Sequence, residues 1–112
     1  MKRGEIYSVN LEPVVGVEQQ GMRPCLVVSG RQFNAKGLAW VCPISSGAQF
    51  ARQAGFVVSL INTGMTTSGV ILCHQLRAVS IHGRFRKKIE VAPDYIVDDV
   101  LAKLQAILED ED

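Results

Sequence analysis

Residues 23–47, RPCLVVSGRQFNAKGLAWVCPISSG, hold two short apolar, β-branched runs, 24–29 and 38–44, bounded by Gly30, Gly37 and Gly47. Runs of this length between glycines read as buried strands. Working outward, residues 5–11 alternate, with Tyr7, Val9 and Leu11 separated by Ser8 and Asn10, which is the period of a half-buried strand. Residues 56–60 and 69–79 continue the series. Five or so strands joined by connections too short for crossover helices predict an antiparallel barrel or curled sheet. The period then changes: after Pro93, the residues Ile96, Val97, Val100, Leu101, Leu104, Ile107 and Leu108 recur at three- and four-residue intervals, so one amphipathic helix closes the chain. The expected architecture is mainly β, a single domain over 1–112, with a barrel over about 3–90 and a C-terminal amphipathic helix over about 93–109.

A chain of 112 residues is large enough for one core and too small for two. No apolar run approaches the roughly 20 residues of a membrane span, and the basic start, Met1-Lys2-Arg3, leads into an alternating segment rather than a secretory apolar stretch. The expectation is a cytoplasmic protein without membrane contact. Cys25, Cys42 and Cys73 are widely spaced inside apolar runs, which predicts buried, reduced thiols, no metal and no cofactor. No phosphate-binding glycine loop of the nucleotide-hydrolase type is present.

Charge is distributed unevenly. Between Gln19 and Ile89 there is no Asp or Glu, yet the segment carries Arg23, Arg31, Lys36, Arg52, Arg77, Arg84, Arg86, Lys87 and Lys88. A solvated basic face would explain part of this, and a polyanionic or strongly acidic partner would explain all of it.

Metal-free phosphodiester cleavage needs a base, an acid and cations or donors on the phosphate. Residues 18–24, EQQGMRP, place Glu18, Gln19 and Arg23 in a glycine-punctuated connection just before a strand; the bland alternative is a surface Glu–Arg pair. Ser45 and Ser46 end another strand and either donate to a phosphate or cap a turn. In 72–77, LCHQLR, strict alternation sets Leu72, His74 and Leu76 on one face and Cys73, Gln75 and Arg77 on the other. A lone histidine is more often a satisfied structural residue, though the imidazole of His74 is chemically suited to acid–base work. Phe33, Trp40 and Phe56 are expected in the core; Phe50, in a polar stretch, packs there too or stacks on a base. The run 82–88, including Arg84, grips a backbone phosphate or an acidic peptide, or forms a solvated turn.

Taken in order, Arg3-Gly4-Glu5-Ile6-Tyr7, Glu18-Gln19-Gln20-Gly21 with Arg23-Pro24, Leu26-Val27-Val28-Ser29, Phe33-Asn34, Pro43-Ile44-Ser45-Ser46-Gly47, Phe50-Ala51-Arg52 with Ala54-Gly55-Phe56, and Gln75 with Arg77 resemble the MazF/PemK/Kid family over nearly the whole chain. That resemblance implies an SH3-like antiparallel barrel, a homodimer, and a toxin of a type II toxin–antitoxin system. It also implies metal-independent, sequence-specific cleavage of single-stranded RNA to 2′,3′-cyclic phosphate and 5′-hydroxyl ends. The implied partners are a cognate MazE/PemI-like antitoxin and, only through that antitoxin, operator DNA. By the same resemblance Arg23 and Ser45 are catalytic, and Glu18, Gln19, Ser46, Gln75 and Arg77 bind RNA; Arg84, from the basic run 82–88, is added as an RNA contact on its charge, and His74 is the candidate substitute base where this chain departs from the family. Two departures stand out: Kid-like members have Arg-Cys-Asp-Gln where this chain has Leu72-Cys73-His74-Gln75, and a loop histidine where it has Val17. The alternative is a non-catalytic toxin or degenerate homologue that binds a protein target or the antitoxin.

Overall fold

The computed structural model describes residues 1–12, 21–46 and 55–111. In chain order the elements are β1 (Glu5–Asn10), β2 (Met22–Val27), the single turn α1 (Arg31–Asn34), β3 (Leu38–Ser45), β4 (Val57–Ser59), β5 (Val70–Leu72), a 3₁₀ turn (Cys73–Gln75), β6 (Arg77–Ser80), the turn α2 (Ile81–Arg84), β7 (Phe85–Val91) and α3 (Asp94–Glu109). The strands pair antiparallel in the order β4-β5-β3-β2-β1-β7, with β6 also on β3. Among the described strands β4 and β7 do not pair, so the sheet is barrel-like but not closed by a ladder.

Seven strands replace the five or so expected, for identifiable reasons. The stretch 69–79 is not one strand, because the 3₁₀ turn at Cys73–Gln75 separates β5 from β6. The run 82–88, read as a turn or phosphate grip, is a turn only at its start: His82 (φ −72°, ψ 121°) and Gly83 (φ 88°, ψ −18°) have type II geometry, which needs a residue tolerant of positive φ at the second position. From Phe85 onward it is an edge strand on β1.

β3 carries three neighbours. β2 lies along one side, while the other side pairs first with β6, from Leu38–Ser80 to Val41–Arg77, and then with β5, at Ile44–Ile71 and Ser45–Val70. The Val28 N–H donates to the Trp40 carbonyl at 2.9 Å, so even-numbered backbone groups of β3 face β2 and odd-numbered ones face away. Pro43 therefore lacks its N–H on the side, and at the step, where β6 ends and β5 begins. A proline inside a strand is tolerated where the ladder is interrupted.

Each sheet face has its own core. Ile6, Leu26, Cys42, Ile44, Val58 and Ile71 pack under α3 through Ile96, Val97 and Val100, and burial of such side chains is worth about 1.5–3 kcal/mol each. The opposite face holds Val9, Leu11, Cys25, Val27, Ala39, Val41 and Val79. All three cysteines are free and buried. Phe33, Trp40 and Phe56 do not join the cores as expected; they are 40%, 46% and 46% exposed. Phe33 packs edge-on against Trp40, with ring centroids 5.6 Å apart, and Phe56 lies against His74. No helix among the described residues is long and apolar enough to cross a membrane.

A buried carboxylate pins the outer strands. Glu5 accepts from the Lys2 N–H at 2.8 Å and the Tyr7 hydroxyl at 3.1 Å, and pairs with Lys88 of β7 at 2.9 Å. Burial works against its charge, but these donors outweigh it and bring its pKa down to about 2. The carboxylate therefore contributes stability fully above about pH 4.5, the ordinary value, and loses it as pH falls toward 2. Thermal melts from pH 7 to 2.5 should show the parent losing Tm below about pH 4.5. Glu5→Gln should lower Tm at pH 7 and narrow the gap to the parent as the pH falls.

Candidate active site

Alternation along β2 sets Arg23 on the same face as Cys25 and Val27, and alternation along β3 does the same for Val41, Pro43 and Ser45. The β2–β3 ladder runs Val27–Val41, Leu26–Cys42 and Cys25–Pro43; just beyond it, Arg23 at the start of β2 and Ser45 at the end of β3 lie at the same end of the two strands. The pair Val41–Arg77 brings Arg77 onto this face from β6. The Cys25 thiol reports on both guanidiniums: burial pushes its pKa up to about 12, and Arg77 and Arg23 each pull the other way. Arg23, Ser45 and Arg77, drawn from three strands, thus belong to one patch floored by the second core cluster.

Arg77 and Arg84 are anchored by main chain. Arg77 Nη1 donates to the Leu11 carbonyl at 3.4 Å, and Arg84 Nη1 donates to the Asn10 carbonyl at 3.2 Å and to that of Glu12. A carbonyl acceptor orients a guanidinium without neutralising it. Here, too, is the stem of the connection between β1 and β2: Leu11 N donates to Gly21 O at 3.0 Å, and Gly21 N to Glu12 Oε2 at 2.7 Å. Glu18 and Gln19 lie outside the described residues, as do Phe50 and Arg52, but the stem from which Glu18 and Gln19 depart is next to the arginines.

Ser45 is 6% exposed and Ser46 is exposed. With Ser59, Ser68, Gly69 and Val70 they line a hollow of about 330 Å³. Gly69 was not singled out by the sequence, and it is what brings β5 against Ser45. Its φ is +111°, and a Cβ there would sit 2.3 Å from the Ser45 carbonyl oxygen. Only its place directly before an apolar run could have marked it.

His74 and Gln75 do not follow the alternation expected for 72–77, because both sit on the 3₁₀ turn. His74 lines a different hollow, of about 480 Å³, with Phe56, Lys103, Ile107 and Asp110, and its buried Nδ1 has no hydrogen-bond partner. The structure does not bring it into the Arg23–Ser45–Arg77 group. Among the described residues no cluster of three or more His, Cys, Asp or Glu is arranged to hold a metal ion.

Guanidiniums and a strand-end hydroxyl on one face are groups chemically suited to an anionic oxygen such as that of a phosphodiester. A family model described as the PemK-like, MazF-like toxin of type II toxin–antitoxin systems matches residues 2–108. The chain belongs to this family. It is 46% identical to the endoribonuclease PemK of Escherichia coli, over 96% of this chain and 82% of that one. It is 43% identical to the endoribonuclease toxin ChpB of Escherichia coli K12, over 96% and 94%. Among solved structures, MazF from Deinococcus radiodurans superposes with a TM-score of 0.86 at 31% identity, covering 96% of each chain. A MazE–MazF complex from the same organism gives 0.80 at 30% identity, covering 99% and 97%. Within this PemK/MazF fold the position of Gly69 has a direct test. Gly69→Ala combines positive-φ strain with a backbone clash, together about 1–3 kcal/mol. It should lower Tm by roughly 5–15 °C and weaken any activity that depends on Ser45, measured by calorimetry and RNA cleavage on the same preparation.

Proposed function

We propose that the protein cuts single-stranded RNA at the Arg23–Ser45 site by metal-independent transesterification, leaving 2′,3′-cyclic phosphate and 5′-hydroxyl ends. The protein is an endoribonuclease toxin of a type II toxin–antitoxin system. The observation that supports this chemistry is that strand alternation and the β2–β3 and β3–β6 registers bring Arg23, Ser45 and Arg77 to one face at one end of the sheet.

In this reading Arg23 holds two phosphate oxygens through parallel donors and keeps its charge at any working pH, so it stabilises the dianionic phosphorane. Ser45 donates a neutral hydrogen bond to the same group. Arg77, Arg84, Ser46 and Gln75 hold the flanking backbone, and Glu18 and Gln19, outside the described residues, are assigned to RNA binding. His74, set in the separate hollow with Phe56 and Lys103, enters as a contact to a neighbouring base; a proton-carrying role would require it to move to the Arg23–Ser45 group, and the two roles differ in their pH signature. The partner is a MazE/PemI-like antitoxin whose acidic segment competes with RNA for the arginines, as suits a chain similar to MazF in MazE–MazF complexes. It works as a homodimer in the cytoplasm and reaches operator DNA only through the antitoxin.

Arg23→Ala should slow cleavage of a single-stranded oligonucleotide by roughly 100-fold or more, with Ser45→Ala costing less, near tenfold. Cleavage should persist in EDTA with cyclic phosphate at the new ends. Near parental cleavage by Arg23→Ala would remove the assignment, and absence of cleavage by the parent would favour a non-catalytic toxin. Rates from pH 5 to 9 decide His74: a proton carrier predicts that His74→Gln removes one limb of the profile, a base contact predicts a changed cleavage sequence with the profile intact.

A further inference from the structure

Glu90 of β7 makes a connection that the strand ladders do not. It is half-buried, pairs through its backbone with Ile6, and accepts three hydrogen bonds from a segment more than twenty residues earlier. Thr66 N donates to Oε1 at 3.1 Å, and Thr67 N and Thr67 Oγ1 both donate to Oε2 at 2.5 Å. Burial works against this carboxylate, yet the Thr67 hydroxyl and the two backbone N–H groups outweigh it and lower its pKa. Thr67 itself is buried, 8% exposed.

The segment so held is the connection between β4 and β5, and it leads straight to the site. Leu60 N donates to Gly69 O at 2.9 Å, which closes the base of the connection. Ser68 and Gly69 line the hollow beside Ser45, Gly69 lies on the Ser45 carbonyl, and Val70 pairs with Ser45. β4 and β7 end the strand path at opposite sides. The Glu90 carboxylate thus ties the two ends of an unclosed sheet together, one residue before the serine and glycine that seat Ser45.

We propose that Glu90, acting through Thr66 and Thr67, is a positioning residue for Ser45 in RNA cleavage, a role that rests on the ribonuclease reading above. Charge-assisted hydrogen bonds to backbone N–H groups are about twice as strong as neutral ones. A glutamine offers one carbonyl oxygen, and its amide N–H₂ would oppose the Thr67 donors. A loosened β4–β5 connection lets Ser45 drift from its place at the Arg23 end of the strands, and displacements near 1 Å cost up to about 100-fold in rate.

The test compares the parent with Glu90→Gln, Thr67→Val and Thr67→Ser in the full chain, by steady-state cleavage of one single-stranded oligonucleotide and by amide hydrogen exchange without RNA. Glu90→Gln and Thr67→Val should each lower kcat about tenfold with KM within twofold, and the double variant should be no worse than either, whereas Thr67→Ser should restore most of the rate. Exchange should accelerate at residues 60–70 and at Ser45–Ser46 while α3 keeps its protection. The proposal is overturned by kcat within twofold of the parent, by a rise in KM at constant kcat, by exchange that accelerates uniformly, or by exchange unchanged at Ser45. If the parent does not cut RNA, the ribonuclease reading falls and the positioning role for cleavage falls with it, while exchange alone reports whether the tie between Glu90 and Ser45 exists.

Discussion

The changeover of partners along β3 is the constraint on which the rest of the structure depends. A strand of eight residues pairs with β6 through its first half and with β5 at its end, and Pro43 stands at that step without a donor to lose. Past the step, Ser45 pairs with Val70 and meets the backbone of Gly69. Meanwhile β2, on the unbroken side, keeps one register from Val27 to Cys25 and carries Arg23 to the same end. The site is thus a product of strand registry, which is set by two buried faces and shifts only by turning every side chain over.

That origin bears on how the charges work. The guanidiniums of Arg77 and Arg84 are fixed by carbonyl oxygens of Asn10, Leu11 and Glu12. A carboxylate partner would orient them equally well but cancel much of the field that a phosphate is meant to meet. Main-chain acceptors give orientation without that cancellation. They also couple the arginines to the stem of the β1–β2 connection, so the part of the chain that carries Glu18 and Gln19 starts from the place where the charge is concentrated.

Local pattern made much of this legible. The 2-residue period of 5–11, the apolar runs 24–29 and 38–44, and the switch to 3.6-residue spacing after Pro93 correspond to β1, β2, β3 and α3 within a residue or two at most ends. Arg23 and Ser45 were readable as chemistry-bearing residues at strand ends, though only the pairing of β2 with β3 brings those ends together. What local pattern missed is non-local in origin. β7 alternates poorly because it is an edge strand whose residues 86–89 are all exposed, so no buried face imposes a period on it. The 3₁₀ turn at Cys73–Gln75 interrupts a run whose composition reads as continuous strand, since Cys73 reaches the core under α3 while β6 must leave to join the other half of β3. Phe33, Trp40 and Phe56 sit in apolar company along the sequence but on surfaces that a single chain leaves open. Gly69 and Glu90 act on backbone far away in sequence, which no local spacing encodes.

The absence of acids between Gln19 and Ile89 becomes a spatial statement once the fold is known. Four of the flanking carboxylates are engaged in the scaffold: Glu5 with Lys2, Tyr7 and Lys88, Glu12 with Gly21, Glu90 with Thr66 and Thr67, and Asp99 with Lys103. Each of these either holds a backbone N–H or hydroxyl that would otherwise lack a partner, or balances a lysine on the periphery. Carboxylates used in this way brace β1, β7 and α3, whereas Arg77 of β6 and Arg84 of the α2 turn are held by neutral carbonyl oxygen. A polyanion approaching the Arg23 face therefore meets positive charge that the fold has already paid to orient, at little cost in reorganisation when the phosphate arrives.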